Sequence, residues 1–240
     1  MKNGKLIETF DLVKQFPVGK GRFTALEDVN LRVGRGEFLG LVGPSGSGKT
    51  TLLNIIGALD RPTSGRAIVL GMDTSRLSGR ESALLRSEHI GFIFQTYNLL
   101  PVYTVYENVE FPLLLLDMEE KKRREMVMSA LEWVGLSDRA RSRPSTLSGG
   151  ESQRVAIARA MVKRPEIVIA DEPTANLDAK NSHNVLGTMA KLNEELETTF
   201  IFATHDEKVI RYLRRRITLN DGRVVEDIEV VPSPPSDGGE

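Results

Sequence analysis

The stretch GPSGSGKT, residues 43–50, restricts the fold more than any other part of the chain. It fits the pattern G-x-x-x-x-G-K-[ST], follows the apolar run FLGLV (38–42) and opens the helix-like run KTTLLNIIGALD. Strand, glycine-rich loop and helix in immediate succession are the parts of a phosphate cradle. Glycines let the backbone turn its N–H groups inward, and the helix N-terminus adds partial positive charge. Gly43, Pro44, Ser45, Gly46, Ser47 and Gly48 would wrap the phosphates of a nucleoside triphosphate. Lys49 would reach the β- and γ-phosphates, Thr50 would ligate Mg²⁺ through its hydroxyl, and Thr51 continues that first turn.

The remaining pattern supplies a sheet around this loop. Residues 5–42 alternate β-type segments with turn residues such as Pro17, Gly19 and Gly34, predicting antiparallel strands that lead into the buried one. RAIVLG and IGFIFQ read as further strands, the second ending at Gln95. From Thr96 to about Lys163 strand character disappears, and stretches such as EEKKRREMVMSALEWVGL predict an inserted helical subdomain over about 96–163. IVIA (167–170) and TFIFAT (199–204) are short apolar runs separated by a helical segment, as parallel strands covered on both faces require. The expected class is α/β with a mostly parallel sheet. A hairpin is expected around Asn220-Asp221-Gly222, and the acidic Pro/Ser/Gly-rich residues 227–240 read as a flexible tail behind a single domain, 1–226.

Charge narrows the partners. Thirty-two basic against thirty-three acidic residues leave a net charge of -1, so no basic footprint argues for nucleic acid. Cysteine is absent, which excludes disulfides and thiolate metal sites. The amino terminus carries charges where a secretory signal needs a continuous apolar stretch. The longest apolar run, Phe111 to Leu116, falls far short of the roughly 20 residues that span a bilayer. A soluble chain is expected, whose membrane role, if it has one, comes through a partner.

Polar residues at strand ends extend the phosphate site. Asp171 follows IVIA at the carboxyl end of a buried strand, the edge where ligands bind in open α/β sheets. It can hold Mg²⁺, and Glu172 beside it can deprotonate a water attacking the γ-phosphate. Gln95 and His205 end strands on the same edge: His205 would bond the γ-phosphate and the water, and Gln95 would sense Mg²⁺ or that water. His89 and His183 lack this placement and read as structural.

A second glycine loop stands at LSGGESQR, residues 147–154. Ser148 precedes Glu151 by the capping-box interval, and Gly149 and Gly150 leave N–H groups bare at a positive helix end. The local chemistry is that of half an anion site, and it is also that of a plain capped helix with permissive glycines.

Residues 43–50, Gln95, LSGGE, IVIADE, NLD (176–178) and His205, in this order, resemble the Walker A, Q-loop, signature, Walker B, D-loop and switch histidine of ATP-binding cassette (ABC) ATPases. The resemblance implies a P-loop NTPase (RecA-like) core with an N-terminal antiparallel β subdomain, ATP and Mg²⁺ as cofactors, and ATPase activity that powers a transporter. It implies a second copy paired head to tail, each nucleotide lying between one copy's Walker A loop and the other's Ser148, Gly149, Gly150 and Glu151, with Asp178 contacting the opposite subunit. Isolated chains would dimerise on binding ATP. Phe16 falls where the family stacks an aromatic on adenine.

FQTYNLLPVYTVYENVEFPLLLL and ADEPTANLD look most like the lipoprotein-release and macrolide-export (LolD-like, MacB-like) subgroup. A transmembrane permease would then dock near residues 95–116, holding the chain peripherally on the cytoplasmic face of the membrane. The individual leucines of FPLLLL read as core of the helical lobe, and KKRR (121–124) and RYLRRR (211–216) as solvated faces. DNA-repair or translation ABC ATPases are the alternative, but one cassette is present, and Lys49 and Asp171 stand only 122 positions apart (171 minus 49). A GTPase would need an N-K-x-D motif, which the chain lacks.

Overall fold

A computed structural model describes residues 5–234. Along the chain lie β1 (Lys5–Val18), β2 (Gly21–Gly34), β3 (Phe38–Val42), α1 (Lys49–Ile56), β4 (Ser64–Val69), β5 (Met72–Asp73), α2 (Gly79–His89) and β6 (Ile90–Phe94). They are followed by α3 (Val105–Glu110), α4 (Glu120–Trp133), α5 (Gly149–Met161), β7 (Ile167–Asp171), α6 (Ala179–Leu196), β8 (Thr199–Thr204), α7 (Glu207–Ile210), β9 (Arg215–Asn220) and β10 (Arg223–Glu229). Strands β2-β1-β4-β5 form one antiparallel sheet. A six-stranded sheet in the order β10-β9-β3-β8-β7-β6 is parallel except for its edge strand β10. The α/β architecture with an antiparallel β unit agrees with the reading from sequence.

Every residue of β3 and β8 is buried, because layers cover both faces of the central sheet. Side chains alternate between the faces. Leu39, Leu41 and Ile201 pack with Ile7 and Leu26 of the antiparallel sheet and with Leu52 and Ile55 of α1. Phe38, Phe200 and Phe202 pack with α5 and α6 on the opposite face. Each such fully buried side chain contributes about 1.5–3 kcal/mol over its exposed state. Close packing extends to the helices: a Cβ on Gly91 of β6 would lie 2.7 Å from the Ala160 carbonyl of α5. Thus α5, inside the expected helical insertion, also covers the central sheet.

Three expectations need correction. Leu113 is buried, but Leu114 and Leu115 are 55% and 66% exposed. The segment Phe111–Leu115 is a 3-10 turn, which cannot turn successive leucines to one side. Residues 227–229 belong to β10, paired with Arg215–Ile217, and Val230 N–H donates to the Arg214 carbonyl, so the tail does not begin at 227. The part of that tail over 235–240 lies outside the described residues. Finally, RYLRRR is not a solvated face. Arg215 is clamped by Asp227 and Glu37, which hold its pKa above the usual arginine value, and Arg216 pairs with Glu226.

Candidate active site

The chain passes from β3 into α1 through a loop whose glycines have steric reasons to be there. Gly43 has φ 144°, and a Cβ on it would lie 2.1 Å from the Leu219 carbonyl oxygen. Gly48 has φ 101°, and its Cβ would lie 2.5 Å from the Ala25 carbonyl oxygen. Gly48 is also the N-cap of α1 and supplies no side-chain acceptor, whereas Ser78, Thr104, Ser148 and Asp178 cap α2, α3, α5 and α6. The first turn of α1 therefore has no side-chain cap, and the helix dipole there favours an anion. Ser47 Oγ, buried in the loop, has no hydrogen-bond partner among the described residues. Lys49 Nζ donates to the Gly43 and Pro44 carbonyls at 2.7 and 2.9 Å. Burial lowers its pKa, opposed by the charges of Glu172 and Asp171.

A cleft of about 410 Å³ opens on this loop. Its apolar wall comes from the β1–β2 hairpin: Phe16, Phe23 and Ala25. Phe16 and Phe23 are cross-strand partners. Lys14 Nζ, tied to Asp60 at 2.6 Å, lies 4.9 Å from the Phe16 ring centroid and steadies it from one side. The polar wall is Lys49, Thr50, Asp171, Glu172 and His205, with Ser45, Gly46, Gly48 and Thr51 from the loop and first turn. An aromatic wall beside a lysine-bearing anion loop can take a purine base at one side and phosphates at the other.

Asp171 ends β7, and Thr50 Oγ1 donates to its Oδ2 at 3.2 Å. Burial raises the pKa of Asp171, while the Thr50 bond opposes the rise. A hydroxyl and a carboxylate side by side are hard oxygen donors of the kind Mg²⁺ takes together with phosphate oxygens, so these residues fit that ion. A cation there would also offset the cost of desolvating the carboxylate.

Glu172 has φ 45°, a left-handed conformation costing on the order of 1 kcal/mol or more in a non-glycine residue. Its N–H donates to the Ala203 carbonyl, which turns the side chain toward the next strand. Thr204 Oγ1 donates to Glu172 Oε2 at 3.0 Å, and His205 Nδ1 lies 2.6 Å from Oε1.

The other expected site residues lie apart from the cleft lining. Gln95 is exposed just after β6, its carbonyl accepting from Asn176 Nδ2 at 3.0 Å. Ser148 and Glu151 form both bonds of a capping box, which hold the Glu151 carboxyl below its usual pKa. Gly149 is exposed, while Gly150 is buried where a Cβ would meet Asn181 Oδ1 at 2.3 Å. Asn181 in turn donates to Asp178, the N-cap of α6. The second glycine loop is thus a surface feature built where the α5 and α6 N-termini meet.

Several contributors escape sequence reasoning. Phe23 reveals itself only through its pairing with Phe16, although the turn at Gly19 between two β-rich runs was a signal. Thr204 sits beside His205, and the sequence pattern marks it only as the last residue of a strand. Gln153, read as part of the helix, is buried and donates to the Pro173 carbonyl at 2.6 Å, securing the turn after Glu172.

The family model described as ABC transporter matches residues 26–175. The macrolide export ATP-binding/permease protein MacB of Burkholderia pseudomallei (strain 1710b) is 47% identical over 224 residues, which cover 93% of this chain and 34% of MacB. The chain therefore spans about a third of the length of that relative. The lipoprotein-releasing system ATP-binding protein LolD of Geobacter metallireducens is 45% identical over 222 residues, covering 92% of this chain and 99% of LolD. A dimeric ATP-binding cassette solved in a post-hydrolysis state with ADP and Pi superimposes with a TM-score of 0.84 at 40% identity, covering 93% of this chain and 98% of that one. With the phosphate loop, the strand-end carboxylates and the capped second glycine loop on one α/β frame, the chain belongs to the ABC transporter family.

Proposed function

We propose that this chain binds ATP and hydrolyses it to ADP and phosphate, as the energy-supplying subunit of a membrane transporter of the lipoprotein-release or macrolide-export type. The observation that carries the reading is the convergence of Lys49, Thr50, Asp171, Glu172 and His205 in one cleft that also has an aromatic wall. Phe16 stacks the base, the loop 43–48 and Lys49 hold the phosphates, and Thr51 lies beside them. Thr50 and Asp171 would hold Mg²⁺, and Gln95, in the loop after β6, would sense that ion or the attacking water. When bound, the ion neutralises developing charge on the phosphate oxygens. Glu172 accepts the proton of a water whose oxygen attacks the γ-phosphorus while the bond to the β-phosphate oxygen breaks. Thr204 and His205 hold the Glu172 carboxylate, and His205 and Lys49 stabilise charge on the transferred group.

The cleft is open to solvent at the γ-phosphate end in this reading, and a second copy closes it head to tail. Ser148, Gly149, Gly150 and Glu151 of one chain face the nucleotide of the other, with Asp178 at the contact. The exposure of Gly149 and its adjacent α5 N-terminus supports this. The permease docks near 95–116: Phe94, Leu100, Phe111, Pro112 and Leu115 line a groove of about 530 Å³. Among the described residues no helix is long and apolar enough to cross a membrane, so attachment to the cytoplasmic face runs through the permease. One domain extends through β10, which ends at Glu229, with the helical subdomain at 96–163. Measuring ATP turnover with and without Mg²⁺, and recovering the chain from membranes with its permease, tests the reading. Absence of any ATP hydrolysis in the reconstituted pair would sink it.

A further inference from the structure

Arg159 stands on α5, ten residues after Gly149 (159 minus 149), and its guanidinium holds the loop that follows Gln95. Nη2 donates to the Tyr97 carbonyl and Nη1 to the Asn98 carbonyl, each at 2.6 Å. Both residues are left-handed, with φ 57° and 50°, a backbone that points consecutive carbonyls toward one donor fork. The Tyr97 side chain reaches the other end of α5. A Cβ on Gly149 would lie 3.1 Å from Tyr97 Oη, so the phenol rests against the first turn of that helix. The Gln95 carbonyl is meanwhile tied to Asn176, two residues before Asp178. A loop of four residues is thus held from three directions, by Arg159, by the α5 N-terminus and by the segment leading to α6.

Holding a guanidinium on backbone carbonyls in a half-buried place costs desolvation, and here burial lowers the Arg159 pKa. What this residue offers over a lysine is geometry. Its planar fork fixes two carbonyls at once, whereas an ammonium is a single flexible point charge. We propose that Arg159 is a positioning residue for Gln95: with Tyr97 it forms a strut between the Gln95 loop and α5, so that a ligand engaging Ser148–Gly150 is felt at Gln95. The inference rests on the ATPase reading above. It assigns the strut no contact with nucleotide; Arg159 acts through the loop it holds.

The test compares the full chain with Arg159→Ala, Arg159→Lys and both changes in a Gln95→Ala background. Arg159→Ala is expected to lower kcat for ATP roughly ten- to hundredfold, the scale set by a small misplacement of a reacting group, with KM for ATP within about twofold. Arg159→Lys, restoring one of two bonds, falls between. In the Gln95→Ala background the same changes add nothing further, because their route is already cut. Hydrogen exchange gives a readout independent of turnover: amides of residues 96–98 lose protection in Arg159→Ala, while those of β3 and α1 keep it. The proposal is overturned if Arg159→Ala retains wild-type kcat, if it loses kcat equally with Gln95 present and absent, or if loop protection is unchanged. An unsubstituted chain that hydrolyses ATP beside a fully active Arg159→Ala removes only the strut. An unsubstituted chain with no hydrolysis removes the ATPase reading itself.

Discussion

His205 Nδ1 lies 2.6 Å from Glu172 Oε1, and the residue before that histidine, Thr204, donates to Oε2 of the same carboxylate at 3.0 Å. Adjacent positions at the end of β8 therefore grip both oxygens of a side chain launched from the end of β7. The parallel register that sets Asp171 opposite Ala203 makes this possible. The carboxylate is thereby fixed in one orientation, and the left-handed backbone at Glu172 is the local cost of aiming it.

The first prediction follows from that grip. Glu172→Gln keeps the shape and one acceptor oxygen but removes the group that takes the proton. ATP turnover is expected to fall by at least about a hundredfold, while an ATP-dependent dimer accumulates and elutes early in size-exclusion chromatography. A variant with the wild-type rate of hydrolysis would deny Glu172 the role of base.

The phosphate loop gives a graded steric test. Gly48→Ala combines φ 101° with a Cβ 2.5 Å from a backbone carbonyl, whereas Gly46→Ala has φ 81° but nothing within 4 Å. Urea unfolding should show about 1 kcal/mol lost for Gly46→Ala, the left-handed penalty alone. Gly48→Ala should lose roughly 2 kcal/mol or more and bind ATP poorly, because the backbone itself must shift. Equal losses would mean that the contact with Ala25 yields easily.

The aromatic wall predicts a pair of affinity mutants. Removing either ring, by Phe16→Ala or Phe23→Ala, should raise KM for ATP by roughly two- to twelvefold, the equivalent of about 0.5–1.5 kcal/mol of aromatic contact, and leave kcat nearly unchanged. If only Phe16→Ala has this effect, Phe23 lines the cleft without touching the base.

These residues show where the sequence was legible. The strand, loop and helix around GPSGSGKT could be read locally because each part depends on neighbours a few positions away. The carboxylates could be read because they end an apolar run. Phe23 and Thr204 acquire their places only through pairing with β1 and through the order of β7 and β8, relations that no local window contains. Leu114 and Leu115 depart from expectation for a related reason: composition marks them as apolar, but exposure depends on the 3-10 turn and on what lies above it. Arg215 looks like one of a solvated run in the sequence because its partners, Glu37 and Asp227, come from distant segments.

Lys163 predicts a pH dependence of stability. Burial lowers its pKa from 10.5 to about 8, and its Nζ donates to the Arg86 and Ser87 carbonyls in the last turn of α2. The folded pKa is the lower one, so between pH 8 and 10.5 the unfolded chain binds more protons at this site, and stability from this group rises with pH. The neutral amine keeps N–H donors for its carbonyls. Comparing urea unfolding of the wild type and Lys163→Met across this range, the wild-type advantage should grow by up to about 1.4 kcal/mol per pH unit. A constant difference would place the lysine in water.

The last prediction separates a site completed by a second copy from one complete within a chain. Take one chain carrying Lys49→Ala and another carrying Ser148→Arg, each inactive alone because both sites of its homodimer are damaged. In a head-to-tail mixed dimer one site receives both defects, and the other receives the intact Lys49 of one chain and the intact Ser148 of the other. If mixing is random and sites act independently, half the dimers are mixed and half their sites are whole, so hydrolysis should recover to about a quarter of the wild-type rate. A site using Lys49 and Ser148 of the same chain recovers nothing on mixing. The geometry favours recovery: Ser148 is absent from the cleft that contains Lys49, and its capping bonds to Glu151 hold it at the α5 N-terminus. Mixed dimers seen by light scattering with no return of hydrolysis would rule out the shared site.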